Sequence, residues 1–352
     1  MRISRPVRAV VVLPLLAASY SAAAQEPERA GELKAFRDWV VGCDNTRSCV
    51  ALGLGPDEGA GGAFLRVERS GDPAGKSRVT LSIVSDSSAA RPALALRLDG
   101  KAALSAPLPA RRDGDFLTAS LDDADVGPFL DAVRNARTLQ VGLAGRAKSS
   151  RPISLAGSAA ALLYMDAAQL RAGTRTALVD RGAADAGSIP APPPAPDVKA
   201  EGLKLINPPP ALPAVLKPSD DPSCADYPPI AIALSEGRTL WGVCELAAAY
   251  NFAYRFSIVA QGEAKPAIFS IAGRAPEPDD SPSTLVNPGL TNGRTTLAML
   301  NKGRGIADCG ETAQWAFDGA AFRLVSYARM DACRGVPPDA WPILYRAAAK
   351  AE

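Results

Sequence analysis

Apolar and polar residues alternate along much of the first half of the chain, and this period of two predicts β-strands. A first segment of this kind covers residues 39–43, and after a polar turn the chain returns through residues 49–54. Further segments with this period lie at residues 79–83, 94–98 and 139–143. Asp99-Gly100, which follows the second of these, is a typical hairpin turn pair. We therefore expect the first half to be β-rich.

Two segments change to the period of an α-helix. The first follows Asp122 and Asp123, either of which provides an N-cap. Its buried face consists of Val126, Phe129, Leu130 and Val133. The second helix covers residues 158–169, and its packed side chains are Leu162, Leu163 and Met165. The acidic cluster at residues 122–125 is explained by carboxylates that meet the free amides of a helix start, and this interpretation is favoured over a calcium site.

The second half shows strand patterns and no helical run of comparable strength. Candidate strands lie at residues 239–243, 254–259 and 265–271. Residues 315–317 and 322–325 flank Asp318-Gly319, which is the strongest hairpin signal in the chain. The second half is therefore expected to be β-rich as well.

Eleven prolines between Pro190 and Pro222 separate the two halves. Proline removes backbone donors and favours an extended, semi-stiff chain. We expect an export signal at residues 1–24, a β-rich domain ending in a helix at 31–181, a proline-rich linker at 182–222 and a β-rich C-terminal domain at 223–348. The fold class is then a β-rich α+β protein of two disulfide-stapled domains.

The beginning of the chain has the pattern of a secretory signal. Arg2, Arg5 and Arg8 precede an apolar stretch, and the alanines at 22–24 offer a cleavage site, whereas the alternative is an uncleaved anchor. No later segment has the roughly 18 unbroken apolar residues of a membrane helix.

Removal of the three arginines changes the formal charge from +2 to −1, so the basic excess that favours nucleic acid or anionic membranes is missing. We expect a periplasmic or secreted protein.

The chain has six cysteines and no histidine. Pairing of nearest neighbours is favoured because short loops close most readily. The predicted disulfides are Cys43–Cys49, Cys224–Cys244 and Cys309–Cys333. A thiolate metal site is disfavoured because no C-x-x-C spacing occurs and an oxidising compartment removes the thiolates. Without histidine a Ser-His-Asp triad is impossible, and we predict no catalytic residue, no metal and no cofactor.

Lys302-Gly303-Arg304-Gly305 is the most suggestive segment for binding. Its glycines allow successive amides to face one anion, and its two cations add charge. Trp315 and Trp341 are expected to offer a flat apolar surface to a sugar ring. The alternative is a glycine-rich turn before a disulfide, surrounded by surface cations. The candidate binding residues are Lys302, Arg304, Asp308, Glu311, Trp315, Arg323 and Trp341.

Four segments carry a family resemblance. They are WVVGCDNTRSC at 39–49, SLAGSAAALLYMDAAQLRAG at 154–173, LWGVCELAAAYNF at 240–252 and NKGRGIADCGETAQWAFDGAAF at 301–322, with CRG and WPILYRA beyond. Together they resemble a family of exported, mostly proteobacterial proteins that is catalogued as a domain of unknown function. This sequence departs from the family pattern at Ala307, where that family usually has glycine. The first half also faintly resembles the invasion-associated locus B proteins, through its W-x-x-x-C opening and its strand-then-helix ending. The resemblance implies membership and no particular activity.

Two functions remain open on the sequence. The leading hypothesis is a non-catalytic binding or interaction module that recognises an envelope glycan, a small anion or another protein, because catalytic signatures are missing beside loops rich in Gly, Arg and Trp. The alternative is a hydrolase that acts on cell-wall glycan through two carboxylates about 5 to 9.5 Å apart in one cleft. The expected partner is an envelope component or small ligand, with no nucleic acid and no membrane insertion.

Overall fold

The computed structural model describes residues 29–56, 62–146, 149–274, 281–291, 293 and 295–351. The expected export signal at 1–24 lies outside the described residues. Within these ranges the chain consists mainly of β-strands, with two α-helices and three disulfide bonds. The β-rich class predicted from the alternation of apolar residues is confirmed. Neither of the described helices has the length and apolar composition needed to cross a bilayer.

The first half contains β1 (Leu33–Phe36), β2 (Trp39–Cys43), β3 (Cys49–Leu54), β4 (Ala63–Arg69), β5 (Ser77–Val84), β6 (Ala93–Leu98), β7 (Lys101–Ala102), β8 (Leu108–Pro109), β9 (Arg111–Asp113), β10 (Phe116–Ser120), α1 (Asp123–Val133), β11 (Thr138–Leu143), β12 (Arg151–Ser154) and α2 (Ser158–Ala168). The rest contains β13 (Asp197–Ala200), β14 (Lys204–Leu205), β15 (Ile230–Ala233), β16 (Thr239–Ala247), β17 (Phe252–Ala260), β18 (Glu263–Pro266), β19 (Thr284–Val286), β20 (Gly289–Leu290), β21 (Thr296–Lys302), β22 (Gly310–Phe317), β23 (Phe322–Met330), β24 (Ile343–Arg346) and β25 (Ala348–Ala351).

The first sheet has seven antiparallel strands in the order β1-β2-β3-β4-β5-β10-β9. One of its faces, which includes Trp39, Leu65 and Leu81, shares a core with both helices and with a second sheet of order β12-β11-β6-β7. Every residue of β3 is buried. A strand that is buried on both sides reads as a continuous apolar run, which is why CVALGL lacks polar alternation.

The opposite face of the first sheet packs against the second half of the chain. Val40, Leu52 and Phe64 belong to one apolar cluster with Met330 and Trp341. All five side chains are buried to at least 96%. The two halves therefore share a core at this interface.

Polar contacts accompany this shared core. The Asn45 side chain donates to the Arg346 carbonyl at 3.0 Å and accepts from the Arg346 amide at 2.9 Å. The Arg346 guanidinium also donates to Asp44, and Arg334 forms an ion pair with Asp38 at 2.7 Å. The WVVGCDN and WPILYRA segments, which carry the family resemblance, thus meet in space.

Two antiparallel sheets form the second half, with orders β14-β15-β16-β17-β18 and β20-β21-β22-β23-β24. Strand β19 adds to the first of them beside β17. Aromatic side chains from both sheets share one cluster, in which the ring centroids of Phe269 and Trp315 lie 5.4 Å apart. The strand expected at 265–271 is shorter, because β18 ends at Pro266 and the following chain is irregular.

The proline-rich stretch at 182–222 is extended and contacts both halves. Within it β13 pairs in parallel with β25, and β14 adds to β15. Arg47 of the first half donates to the carbonyl of Pro190 at 3.2 Å. Ile189 and Val198 are buried, so this stretch contributes to the packing of the molecule.

The disulfides occur as predicted, between Cys43 and Cys49, Cys224 and Cys244, and Cys309 and Cys333. Helix α1 buries the predicted residues Val126, Phe129, Leu130 and Val133. In α2, Leu162 and Met165 are buried as expected. The expectation for Leu163 was wrong, since its side chain lies on the solvent side of the helix and is 43% exposed.

Candidate functional site

The seven candidate residues fall into separate places. Lys302 ends β21, and Arg304 and Asp308 lie in the loop that leads from it to β22; we call residues 302–309 the Lys302 loop. Arg323 lies at the other end of the same sheet, where it forms an ion pair with Asp318 at 2.7 Å. The remaining three are largely buried side chains of the strands and of the segment before β24.

The Lys302 loop is braced by its own charges. Arg304 donates to Asp308 at 2.6 Å through Nε and to the Cys333 carbonyl at 2.9 Å. The Gly335 amide also donates to Asp308, at 2.6 Å. Burial alone would raise the pKa of Asp308, but the hydrogen bonds from Arg304 and the Gly335 amide outweigh burial and lower that pKa. Arg304 is therefore engaged in holding the loop.

Two further features of this loop limit its chemistry. Ala307 has φ of 56°, in the left-handed region that favours glycine. The Asp308 carboxylate lies near the sulfurs of Cys309 and Cys333. Because these sulfurs are bonded to each other, they offer no thiolate to a metal.

The two candidate tryptophans are core residues. Trp315 and Trp341 are each 1% exposed. Their indole nitrogens donate to the carbonyls of Ser270 at 3.1 Å and Val336 at 2.8 Å. The expected stacking surface for a sugar ring is corrected accordingly, because neither ring presents a face to solvent.

Glu311 leads to a site that the sequence did not indicate. Its carboxylate accepts from the Tyr327 hydroxyl at 2.9 Å and pairs with Arg274 at 3.2 Å. Burial raises the pKa of the Tyr327 hydroxyl, and the neighbouring Glu311 charge raises it further. Tyr327 thus stays protonated and donates permanently to Glu311.

Tyr327 and Arg274 line a cavity of about 370 Å³, which we call the Tyr327 cleft, and both contact Glu311. Its walls come from four parts of the chain: residues 30–33 before and within β1, the turn at 273–274, residues 327–331 at the end of β23, and Leu344 of β24. The amide of Gly31 donates to the Leu344 carbonyl at 2.7 Å, which fixes one wall to β24. Strands of both halves therefore meet around the cleft.

The charges around the Tyr327 cleft are matched in pairs. Arg329 donates to Asp331 at 2.6 Å, and Glu32 is paired with Lys34. Together with the contact between Arg274 and Glu311, each acid of the cleft faces a cation. The arrangement presents hydrogen-bond donors and acceptors without a surplus of either charge.

A smaller cavity of about 190 Å³ adjoins the Tyr327 cleft, and we call it the Leu33 cavity. The two share Leu33 and Asp331 among their lining residues. The Leu33 cavity is lined by Leu33, Ala35, Arg37, Val40, Leu54, Asp331, Ala332 and Arg334. The cleft and the cavity thus follow one another along β1.

Another cavity, of about 470 Å³, lies within the first half between α1, the turn at 73–77 and residues 175–186. Its exposed cations are engaged, since Lys76 pairs with Asp123 at 2.7 Å and Arg181 pairs with Asp131 at 2.9 Å. At its base Arg69 belongs to a buried polar cluster. The paired residues around this cavity stabilise the fold of the first half.

That buried cluster includes Asp166 and Gln169 from the DAAQLR stretch at residues 166–171. Asp166 accepts from Arg69 at 2.8 Å and from the amides of Leu178 and Val179, also at 2.8 Å. Gln169 donates to the carbonyl of Arg69 at 2.9 Å. Asp166 fixes the end of α2, with Arg69 as its ion-pair partner.

No local sequence pattern marks Arg274, Tyr327 or Arg329 as site residues. Arg274 lies in a turn, while the other two occupy a strand that reads as ordinary alternation. Only the cross-strand pairing that sets Arg329 opposite Glu311 brings them together. Glu311 is the one candidate residue that belongs to this site.

Comparisons with known proteins complete this description. The model of the family described as "Protein of unknown function (DUF1176)" matches residues 33–348. "Uncharacterized protein YpfG" of Escherichia coli (strain K12) is 32% identical in an alignment of length 352. This alignment covers 89% of this chain and 92% of that protein. The crystal structure of invasion associated protein B from Bartonella henselae aligns with 40% of this chain and 99% of its own, at 16% identity and a TM-score of 0.29.

Proposed function

The chain belongs to the family described as protein of unknown function (DUF1176), and we propose that it is a non-catalytic interaction module of the cell envelope. Its partner is a polypeptide segment of another protein, which binds in the Tyr327 cleft. The observation that carries the proposal is this cavity of about 370 Å³ with its matched acid and base pairs. Its volume falls within the roughly 300–1,000 Å³ that is usual for ligand sites.

The chemistry of the cleft favours a peptide over the other ligands considered. A dedicated anion site needs a surplus of cations, whereas Arg274 and Arg329 already face Glu311 and Asp331. A glycan site typically offers an exposed ring face, and Tyr327 is only 3% exposed. A peptide carries both donors and acceptors along its backbone, which suits a cleft with both.

No observation favours the carboxylate hydrolase. Such an enzyme needs a general acid whose pKa is raised. In the described part of the chain, the carboxyl groups with a displaced pKa all have it lowered. They are Glu32, Asp38, Asp99, Asp123, Asp221, Asp308 and Asp318.

The proposed location is the periplasm, reached through the signal at residues 1–24. Three disulfides support an oxidising compartment, because cytosolic proteins rarely keep them. Detection of the mature protein in a periplasmic extract, with its first residues removed, is the expected result. A full-length protein that remains in the cytosolic fraction would contradict this location.

Selection from a library of random short peptides tests the binding role. The wild-type protein is expected to enrich related peptides, and Arg329→Gln is expected to weaken their binding because it removes donors from the cleft. Arg323→Gln is the matched control. Both arginines lie on β23, and each pairs with an aspartate, at 2.6 Å for Arg329 and 2.7 Å for Arg323.

The outcomes separate the hypotheses. Loss of binding in Arg329→Gln with retention in Arg323→Gln supports the cleft. Equal retention in both variants overturns this location for the site. If no peptide is enriched, while chitobiose or inorganic phosphate raises the thermal midpoint of the wild-type protein, a polypeptide partner is wrong.

A further inference from the structure

We propose that the bound segment adds as an extra strand to the free edge of β1, so that its backbone pairs with Leu33 and Ala35 and an acidic side chain meets Arg37. This proposal rests on the proposed function and names the way in which the peptide binds. It extends the site from the Tyr327 cleft into the adjoining Leu33 cavity. Four observations on the described residues carry it.

The first observation is that β1 has one paired edge. In the first sheet β1 is an end strand, and its sheet partner is β2. The remaining backbone hydrogen bonds within the described ranges include none from Leu33 or Ala35. A free edge of this kind presents unpaired amides and carbonyls to another chain.

The second observation concerns the hairpin of β1 and β2, and which backbone groups of β1 it leaves without a bond to β2. Phe36 and Trp39 face each other across the two-residue turn at 37–38. Such a turn closes with a hydrogen-bonded pair, and bonded and non-bonded pairs then alternate along the strands. The backbone groups of Phe36 and Lys34 therefore point to β2. Those of Leu33 and Ala35 point to the free edge.

The third observation is the position of the cavities. Leu33 and Ala35 lie on one face of the strand, since side chains repeat with a period of two, and Arg37 follows in the turn. All three line the Leu33 cavity. Phe36 lies on the other face, where its ring centroid is 5.8 Å from that of Tyr164. The Tyr327 cleft thus lies beside the start of β1, and the Leu33 cavity lies against the sheet face that β1 shares with Val40 of β2 and Leu54 of β3.

The fourth observation is the charge of Arg37, which directly follows β1 in the chain. Arg37 is exposed at the turn, and it has no ion-pair partner among the described residues. The other cation of the cavity, Arg334, is engaged with Asp38. The open charge at Arg37 selects a peptide with Asp or Glu at the facing position.

The same charges disfavour a second copy of this chain. An antiparallel pairing of two β1 edges centred on Lys34 would set two lysines directly opposite each other, which is destabilising. The edge is also only four residues long. Short, charged edges resist indiscriminate pairing. The geometry therefore fits a specific acidic peptide.

Ala35→Pro tests the strand addition directly. Proline removes the amide that points to the free edge and leaves the ladder to β2 intact, which is the position where a strand tolerates proline. The wild-type protein is the reference, because it keeps the Ala35 amide and leaves the Leu33 cavity unfilled. For peptides selected on the wild-type protein, Ala35→Pro is expected to weaken binding about tenfold, as befits the loss of one backbone hydrogen bond.

Amide hydrogen exchange gives a readout that does not depend on a variant. On peptide binding, the amides of Leu33 and Ala35 are expected to exchange more slowly, whereas that of Lys34 is already bonded and should change little. Arg37→Gln should reduce the preference for acidic peptides over their amide counterparts. Circular dichroism and the thermal midpoint verify that each variant is folded.

The outcomes distinguish this inference from the proposed function. Peptides that depend on Arg329 but bind Ala35→Pro as tightly as the wild-type protein overturn strand addition and leave the cleft in place. Unchanged exchange at Leu33 and Ala35 does the same. Absence of any peptide binding removes the proposed function itself. Concentration-dependent dimers that vanish in Ala35→Pro would identify a second copy as the occupant and contradict an acidic partner.

Discussion

Replacing Asp166 by alanine removes the carboxylate that holds the end of α2 to the chain after it. This side chain is fully buried and accepts from Arg69 and from the amides of Leu178 and Val179, each at 2.8 Å. Arg69 is itself 3% exposed. The substitution therefore leaves a buried cation without its counter-charge and two amides without their acceptor.

The magnitude follows from this burial. Burial already lowers the pKa of Arg69 to about 10, against the opposing effect of Asp166. Breaking a buried ion pair by removing one partner costs about 3–5 kcal/mol. The orphaned amides of Leu178 and Val179 place the expected loss in the upper part of that range. Such a loss is a large share of a typical stability of about 5–15 kcal/mol.

Urea denaturation followed by tryptophan fluorescence measures this loss as a change in the free energy of unfolding. Asp113→Ala is the control, since Asp113 forms an exposed ion pair with Arg111 at 3.2 Å and should leave the midpoint nearly unchanged. The double variant Arg69→Met/Asp166→Leu should be more stable than Asp166→Ala, because it removes the unpaired charge and fills the space.

A loss below about 1 kcal/mol in Asp166→Ala would refute the reasoning, because it would mean that Arg69 finds water or another partner. The same conclusion would follow if Asp113→Ala were as costly as Asp166→Ala. A double variant less stable than the single one would show that the pair contributes more than burial of apolar groups in its place.

Three further predictions concern other parts of the fold. Asp308→Asn should destabilise the protein at pH 7, because the pKa of Asp308 is lowered in the folded state. The loss of stability relative to wild type should vanish as the pH falls below the ordinary carboxyl pKa of about 4 and through the folded pKa of Asp308. Urea midpoints measured across pH test this. Replacing Cys309 and Cys333 by serine opens a loop with a sequence separation of 24 and should cost about 3.5 kcal/mol in chemical denaturation. Gly42→Ala would set its Cβ 2.5 Å from Leu344 Cδ2, so a loss of about 1–3 kcal/mol is expected, and an unchanged thermal midpoint would contradict the close packing of the two halves.

Local features of this protein were predictable from the sequence. The pairing of Cys43 with Cys49 follows from a short loop, and Asp99-Gly100 forms the expected turn, with φ of 46° and 82°. The buried face of α1 follows from its period. In each case the residues that interact lie within a few positions of one another, so their pattern carries the information.

The candidate site depended on contacts between distant parts of the chain. Trp341 reads as an exposed ring near basic residues, yet it is buried because Leu52 and Phe64 of the first sheet cover it. Tyr327 and Arg274 acquire their role only when the strand and the turn fold over Glu311. A linear pattern cannot report which side of a strand another half of the molecule will cover.

The first sheet is covered on both faces, and the second cover is the other half of the chain. A fragment ending before the proline-rich stretch would expose Val40, Leu52 and Phe64 to water as one contiguous apolar surface. Such fragments are expected to self-associate or to be captured by chaperones and degraded. Proteolytic nicking that lets the halves separate is therefore expected to precipitate the protein, so its lifetime depends on keeping the chain whole.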